Sequence, residues 1–181
     1  FFRVDGHPDF VTSVVYNPVG DMAYSGCRDG KVRLIHGRKY VILSEFEAHE
    51  GSVDVMAMSP DGTKLAMASL DGTAKLWDLA AENPDDSLIL TLEGHQEVVT
   101  SLAFSGDGLL LASGSFDRTI KVWSVEDLEE VTTLSGHEFA VTSVAFVPEQ
   151  EQVISGSLDT TVRVWDLENG AELYRFSGHS D

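Results

Sequence analysis

The chain has 181 residues, of which 43% are hydrophobic, so it is long enough to bury a core without metal or disulfide staples. Its 30 acidic and 12 basic residues give a formal net charge of -18, which disfavours direct nucleic-acid binding because phosphate backbones are repelled. The single cysteine, Cys27, excludes an internal disulfide, and the sequence contains neither a membrane-spanning apolar run nor a signal-peptide pattern. We therefore expect an intracellular protein, cytoplasmic or nuclear, that binds no membrane.

In chain order, the first predicted element is the strand FFRV, within residues 1–5, interpreted as the outer strand of a preceding sheet. Because the chain opens on Phe1 and not on Met, we expect its true start to lie further upstream. A His then recurs at intervals of 42, 46, 42 and 42 residues, at His7, His49, His95, His137 and His179. The four extra residues fall in AENPDD, residues 81–86, whose composition predicts a loop.

Two further landmarks keep the same spacing in every interval. An Asp follows the His by 22 residues, at Asp29, Asp71, Asp117 and Asp159. Six residues later stand Ile35, Trp77, Trp123 and Trp165. A fixed period of this length predicts structural repeats. We place them at about 6–47, 48–93, 94–135 and 136–177, with 178–181 beginning another, within a single domain.

Within each repeat the sequence predicts four short strands. The third repeat and the segment before it illustrate the pattern with SLILTLEG, VTSLAF, LLLASGSF and IKVW, at residues 87–94, 99–104, 109–116 and 120–123. Such runs are short, alternate in polarity and are bounded by turn signals such as PDG and GDG. No helical periodicity of useful length is present, so the pattern predicts an all-β array.

With these landmarks the chain resembles the WD-repeat family of β-propellers, whose signature is a GH pair, an Asp in a tight turn and a closing WD. Trp77-Asp78 and Trp165-Asp166 match the closing pair, Trp123-Ser124 matches half of it, and Ile35-His36 departs from it. The resemblance implies four four-stranded antiparallel blades plus the leading strand, as an arc of a larger ring. Two copies paired into one ring, or a tight four-bladed ring, remain alternatives.

The same resemblance implies a hydrogen-bonded network of His, Ser, Asp and Trp in each blade, in which every polar member has a partner. In the second repeat its members are His49, Ser69, Asp71 and Trp77. The third repeat supplies His95, Asp117 and Trp123, and the fourth supplies His137, Asp159 and Trp165. The serine of the third repeat is Ser113 or Ser115, and the serine of the fourth repeat is Ser155 or Ser157. With Ile35 in the Trp position, the first repeat should keep only part of the network.

WD-repeat propellers commonly bind peptides on one rim, through the residue before each turn Asp and the third and fifth residues after each His. Mapped by position and supplemented by the adjacent Phe139, the candidate contacts are Phe10, Arg28, Asp54, Leu70, Phe116, Phe139 and Leu158. Of these, Phe10, Arg28, Phe116 and Phe139 are preferred. Aromatic residues and arginine are enriched in binding hot spots. The remaining mapped positions are Ser52, Val98, Ala140, Thr12, Thr100 and Thr142.

The opposite rim is predicted to be acidic and to suit a basic partner, through Glu82, Asp85, Asp86, Glu126, Asp127, Glu129, Glu130, Glu149, Glu151 and Glu168. Other expected partners are peptides, further proteins, the remaining blades of the same protein or a second copy.

The leading functional hypothesis is a noncatalytic protein-interaction scaffold, with no catalytic residue, metal or cofactor. Alternatives are a structural docking piece of a large assembly, or a propeller hydrolase with a channel metal. The hydrolase would need metal ligands from the first strands, whose cores contain Asp54 as their one acidic residue.

Overall fold

The computed structural model describes residues 4–81 and 87–178, and within them every regular element is a β-strand. The 16 strands are β1 Val11–Tyr16, β2 Met22–Cys27, β3 Lys31–His36, β4 Val41–Glu47, β5 Val53–Met58, β6 Lys64–Ser69, β7 Ala74–Asp78, β8 Leu88–Thr91, β9 Val99–Phe104, β10 Leu110–Ser115, β11 Thr119–Ser124, β12 Glu130–Ser135, β13 Val141–Phe146, β14 Gln152–Ser157, β15 Thr161–Asp166 and β16 Glu172–Ser177. The described residues contain no helix that could cross a membrane.

The strands form four four-stranded sheets in sequence order, β1 to β4, β5 to β8, β9 to β12 and β13 to β16. All neighbouring strands are antiparallel. Short runs rich in Val, Ile, Leu and Thr, separated by Gly and Asp turns, favour this hairpin-by-hairpin order. The predicted all-β class with four four-stranded antiparallel sheets is confirmed. Each sheet lies within one of the four predicted repeats, while the number of blades in a ring stays a prediction.

The chain forms two compact units, residues 1–93 and 94–181, here called unit 1 and unit 2. Each contains two sheets with an apolar core between them. The unit 1 core consists of Tyr24, Val32, Ala48, Val53, Met56, Leu65, Met67 and Trp77. The unit 2 core consists of Ala112, Ile120, Val122, Leu134, Val141, Val144, Val153 and Trp165. Burial of these side chains supplies the main stabilising free energy of each unit.

Within each unit, the second strand of one sheet lies directly against the first strand of the next. A Cβ built on Gly114 would lie 2.7 Å from Val141 Cγ1, so only glycine fits this contact without a shift. The Thr100 hydroxyl also donates to the Val141 carbonyl. Unit 1 repeats the arrangement with Gly26 in place of Gly114. These contacts align the two sheets so that their turns lie at matching ends.

Strand β1 carries an apolar face that no described residue covers. Val14 is 62% exposed, whereas Met56, at the equivalent position of β5, is 7% exposed. Strand β16 is exposed throughout and presents Tyr174 and Phe176, stacked at 6.4 Å. Of the predicted leading strand, residues 1–3 lie outside the described residues and Val4 belongs to no strand. The loop residues 82–86 and the predicted further repeat beyond 178 also lie outside them.

Candidate functional site

The His, Ser, Asp and Trp side chains of the fourth sheet lie together as one hydrogen-bonded network. His137 Nδ1 is 2.7 Å from Asp159 Oδ2, and its Nε2 is 2.7 Å from Ser155 Oγ. The Trp165 indole N–H donates to the same hydroxyl at 2.8 Å. The third sheet has the same arrangement, with distances of 2.8, 2.8 and 2.9 Å, among His95, Asp117, Ser113 and Trp123. Of the two serines open in each repeat, the structure therefore places Ser113 and Ser155 in the networks.

Proton positions follow from which atoms can donate. The Asp159 carboxylate only accepts, so His137 Nδ1 donates to it. Burial lowers the pKa of His137, although the hydrogen bond that the ring donates to Asp159 acts in the opposite direction, so the neutral ring accepts the Ser155 proton at Nε2. The Ser155 oxygen then accepts the Trp165 indole N–H. Ser155 is buried with both hydrogen-bonding roles filled, so this network holds strands together and does not activate a nucleophile.

Each network Asp is further held by a threonine two residues later, which the sequence interpretation missed. Thr161 donates to Asp159 Oδ1 from its N–H at 2.9 Å and from its hydroxyl at 2.6 Å. Burial raises the pKa of Asp159, but these bonds and the hydrogen bond from His137 outweigh burial and bring that pKa far below its ordinary value. Similar hydrogen bonds lower the pKa of Asp117 to about 2. The available signal was the recurring Asp-x-Thr spacing, at Thr73, Thr119 and Thr161.

The second sheet departs from this pattern, and the prediction that Ser69 belongs to its network is corrected by the structure. Ser69 Oγ instead accepts the Asp71 backbone N–H at 3.0 Å. The position four residues before the turn Asp, where Ser113 and Ser155 stand in the later sheets, holds Met67. Ser69 occupies the position of Ser115 and Ser157, which make the same turn contact.

Met67 is fully buried and has no hydroxyl, so two polar atoms of the second sheet lose their shared partner. His49 Nε2 and Trp77 Nε1 are buried without a hydrogen bond to any described residue. His49 Nδ1 is 2.9 Å from Thr73 Oγ1 and 3.4 Å from Asp71 Oδ2. The structure thus brings His49 close to Asp71 and leaves Trp77 unconnected to them.

The first sheet keeps one link and replaces the rest with ion pairs. His7 Nε2 lies 2.7 Å from Ser25 Oγ. With Ile35 in the Trp position there is no indole donor. Arg33, nearly buried, pairs with the turn Asp29 at 2.7 Å, and its hydrogen bond lowers the pKa of that carboxyl to about 2. The predicted partial network of this repeat is therefore the His7 and Ser25 pair.

We call the end of each sheet that carries the turn Asp, together with the segment before its first strand, the turn-Asp end. In unit 1 it presents Phe10 and Arg28, whose backbones are joined by an N–H to O bond of 2.9 Å, and both side chains are exposed. Leu70 is exposed as well. Asp54 accepts from Leu70 N at 3.0 Å and from Ser52 Oγ at 2.8 Å, so its carboxylate holds this turn.

In unit 2 the turn-Asp end presents three exposed apolar side chains, Phe116, Phe139 and Leu158. Phe116 N donates to Val98 O at 3.0 Å, and Leu158 N donates to Ala140 O at 2.9 Å. These backbone bonds fix where each turn lies while leaving its large side chain outside the core. Gly114 packs against Val141, so Phe116 and Phe139, each two residues from that contact, lie at the same end of the two sheets.

Three threonines that the resemblance mapped to the binding rim are used within the fold. The Thr12 hydroxyl donates to the carbonyls of Gly26 and Val53. Thr100 makes the equivalent bonds in unit 2. Thr142 donates to Gly156 O at 3.3 Å.

One exposed residue of the turn-Asp end was missed from the sequence. Arg118 directly follows Asp117 and adopts a left-handed backbone conformation, with φ 73°. The first two repeats carry Gly30 and Gly72 at this position. The signal was therefore a charged residue standing where a turn favours glycine.

The opposite end of the unit 2 sheets is acidic in the structure as well. Exposed carboxylates there are Glu126, Asp127, Glu129, Glu130, Glu149, Glu151 and Glu168. Glu130 is paired with Lys121 at 2.7 Å. The predicted contributions of Glu82, Asp85 and Asp86 lie outside the described residues. In the described part of the chain, no three His, Cys, Asp or Glu side chains are grouped to hold a metal ion.

Comparison with known proteins accords with this geometry. Mouse WD repeat-containing protein 1 is 35% identical over 81 residues, which is 43% of this chain and 13% of that protein. Actin-interacting protein 1 of Drosophila melanogaster is 41% identical over 73 residues, 39% of this chain and 12% of that protein. The solved structure of U3-55K matches with a TM-score of 0.87 and 28% identity, covering 98% of this chain and 54% of that chain.

This chain therefore spans about an eighth of the length of those two relatives and about half of the solved chain. The WD40 family, described as WD domain, G-beta repeat, matches it four times, over residues 2–36, 40–78, 86–124 and 128–166. The resemblance seen in the sequence is confirmed, and the chain belongs to the WD40-repeat family of β-propeller proteins.

Proposed function

We propose that this chain is a noncatalytic scaffold whose turn-Asp ends bind a peptide or a partner domain. WD-repeat proteins are generally noncatalytic interaction scaffolds, and that general role supports the proposal. The contacts we assign are Phe10, Arg28, Asp54, Leu70, Phe116, Phe139 and Leu158. An intracellular compartment, cytoplasmic or nuclear, stays part of the proposal.

One feature that recurs in every sheet supports the proposed binding function. The residue before the turn Asp is large and exposed in all four sheets, namely Arg28, Leu70, Phe116 and Leu158. Its backbone N–H is bonded within the fold in every case. Side chains that the core does not use, placed repeatedly at one end of the sheets, give a partner apolar area on a rigid support. Asp54 contributes by holding its turn, so its effect on binding would be indirect.

Peptide selection on the intact chain tests this proposal. Peptides chosen from a random displayed library would be synthesised and titrated against wild type, Phe116→Ala and Leu109→Ala. Leu109 is the matched control, because it is 54% exposed against 53% for Phe116 and lies on the same sheet at the opposite end. We expect Phe116→Ala to weaken binding about tenfold and Leu109→Ala to leave it unchanged.

The outcomes separate clearly. Peptides whose affinity drops with Phe116→Ala alone support a binding surface at the turn-Asp end of unit 2. Equal affinities for all three proteins, or a loss only with Leu109→Ala, would remove that surface from the proposal. Circular dichroism of each variant shows whether a loss of binding reflects loss of folding.

A further inference from the structure

Most arginines of the described residues are already neutralised by carboxylates. Arg33 pairs with Asp29, Arg38 with Asp21, and Arg163 and Arg175 both pair with Glu172. The two remaining arginines, Arg28 and Arg118, form no ion pair with any described residue. Arg28 and Arg118 are thus exposed arginines without a carboxylate partner among the described residues. Each can pair with an outside anion at short range, although the net charge of -18 repels anions at longer range.

Both free arginines lie at turn-Asp ends, and both adjoin exposed aromatic residues. Arg28 is joined to Phe10 through their backbones in unit 1. In unit 2, Arg118 lies in the same turn as Phe116, with the hydrogen-bonded Asp117 between them. A guanidinium next to apolar area can pair with a carboxylate while the neighbouring aromatic rings take up an apolar side chain.

The backbone at Arg118 shows that the turn itself does not account for the arginine. Its φ of 73° lies in the left-handed region, which costs an L-residue free energy that glycine avoids. Gly30 and Gly72 occupy the equivalent turns of unit 1, so the turn itself does not require a side chain. Thr160 takes the same conformation in the fourth sheet, with φ 66°, so arginine and threonine both stand where glycine would avoid the strain.

From these observations we infer that the turn-Asp end of unit 2 binds an acidic peptide, with a peptide carboxylate paired to Arg118 and an adjacent apolar side chain packed on Phe116 and Phe139. This inference rests on the proposed function and names the chemistry of its partner. Arg28 and Phe10 offer the same combination at the turn-Asp end of unit 1.

The test compares peptides that differ only in charge. Peptides selected on the intact chain would be synthesised in three forms, with Asp or Glu as found, with Asn or Gln at those positions, and with phosphoserine there. Each form would be titrated against wild type, Arg118→Gln and Arg38→Gln. Arg38 is the matched control because it is an exposed arginine at the opposite end of a sheet, so its replacement changes the net charge equally.

We expect the selected peptides to carry an Asp or Glu close to an aromatic or aliphatic residue. Changing that acid to its amide should weaken binding to wild type and to Arg38→Gln about tenfold, and should change binding to Arg118→Gln very little. Added salt should weaken the acidic form more than the amide form.

Three results would overturn the inference. Neutral or basic peptides that depend on Phe116 but not on Arg118 would reject it and leave the proposed function standing. Much tighter binding of the phosphoserine form than of the carboxylate form would reject a carboxylate as the ligand. Peptides that depend on neither residue would reject this inference and would also remove the turn-Asp end of unit 2 from the proposed function.

Discussion

At the scale of single residues, one hydroxyl decides whether a sheet completes its polar network. Ser113 offers both a donor and an acceptor, so it joins the imidazole of His95 to the indole of Trp123. Met67 stands at the same position in the second sheet, and its side chain offers neither a hydroxyl donor nor a hydroxyl acceptor. Its burial among apolar side chains replaces hydrogen bonding with packing, at the cost of a buried donor and acceptor left unpaired.

A pair of matched substitutions measures this difference. Trp123→Phe and Trp77→Phe remove a similar indole from a buried site, but only Trp123 donates a hydrogen bond. We expect Trp123→Phe to lower the free energy of unfolding by about 1 to 2 kcal/mol more than Trp77→Phe. Urea unfolding followed by far-UV circular dichroism gives both values. Equal losses would mean that the bond from Trp123 to Ser113 contributes no net stability.

At the scale of elements, the tight turn after each second strand must pass through a left-handed residue. That residue is Gly30, Gly72, Arg118 or Thr160, with φ between 66° and 88°. Thr160 is the least suited of the four because its Cβ is branched. Turn geometry therefore recurs in every sheet although residue type does not, and the hydrogen bonds of the turn Asp keep it in place.

Exchanging the residues of two turns tests this strain. Thr160→Gly should raise the free energy of unfolding by about 0.5 to 1 kcal/mol, since relief of the left-handed strain exceeds the entropy gained by the unfolded chain. Gly72→Thr should lower it by about 1 to 2 kcal/mol. Open space surrounds the Gly72 Cβ direction, so its loss reports backbone strain and not a clash. Thermal or urea midpoints of both variants suffice, and two changes of the same sign would contradict the explanation.

At the scale of the whole molecule, buried ionisable groups tie stability to pH. Burial lowers the pKa of His49 and His137 below 6.5, so folding favours their neutral form. Burial raises the pKa of Asp117, but its hydrogen bonds together outweigh burial and lower the pKa from 3.8 to about 2, so folding favours its charged form. In both cases the unfolded chain binds protons more tightly than the folded chain. Both kinds of shift therefore make the free energy of unfolding fall as the pH falls.

Stability should therefore be complete above about pH 6.5 and fall as the pH drops towards the folded-state pKa of the histidines. A second fall should follow below pH 3.8, down to about pH 2, as the aspartates protonate. Urea unfolding across this range, in about 0.5 M salt to screen the net charge, measures the profile. His137→Gln should flatten its upper part, and an unchanged slope between pH 6.5 and 5 in that variant would contradict this assignment.

Much of the fold was predictable because its signals are local. Alternating polarity predicted the strands, and the constant distances from His to Asp to Trp predicted four equivalent sheets. In the third and fourth sheets the same distances also selected the His and Asp partners, since a repeated spacing places them at repeated positions. The exposed Phe116 and Leu158 could also be foreseen, because they stand beside a turn residue where no core is needed.

The sequence by itself thus determined the β class, the four repeats and the pairing of His with Asp in the third and fourth sheets. It could not decide which serine completes each network, because Ser113 and Ser115 lie two apart on the same strand face and share every periodic property. Only the packed sheets decided that, by placing Ser113 against Trp123 and turning Ser115 towards the backbone of Glu97 and Asp117. Contacts between residues distant in the chain also explain three features that the sequence did not predict. These are the role of Ser69, the unpaired polar atoms around Met67 and the lack of an ion pair at Arg118.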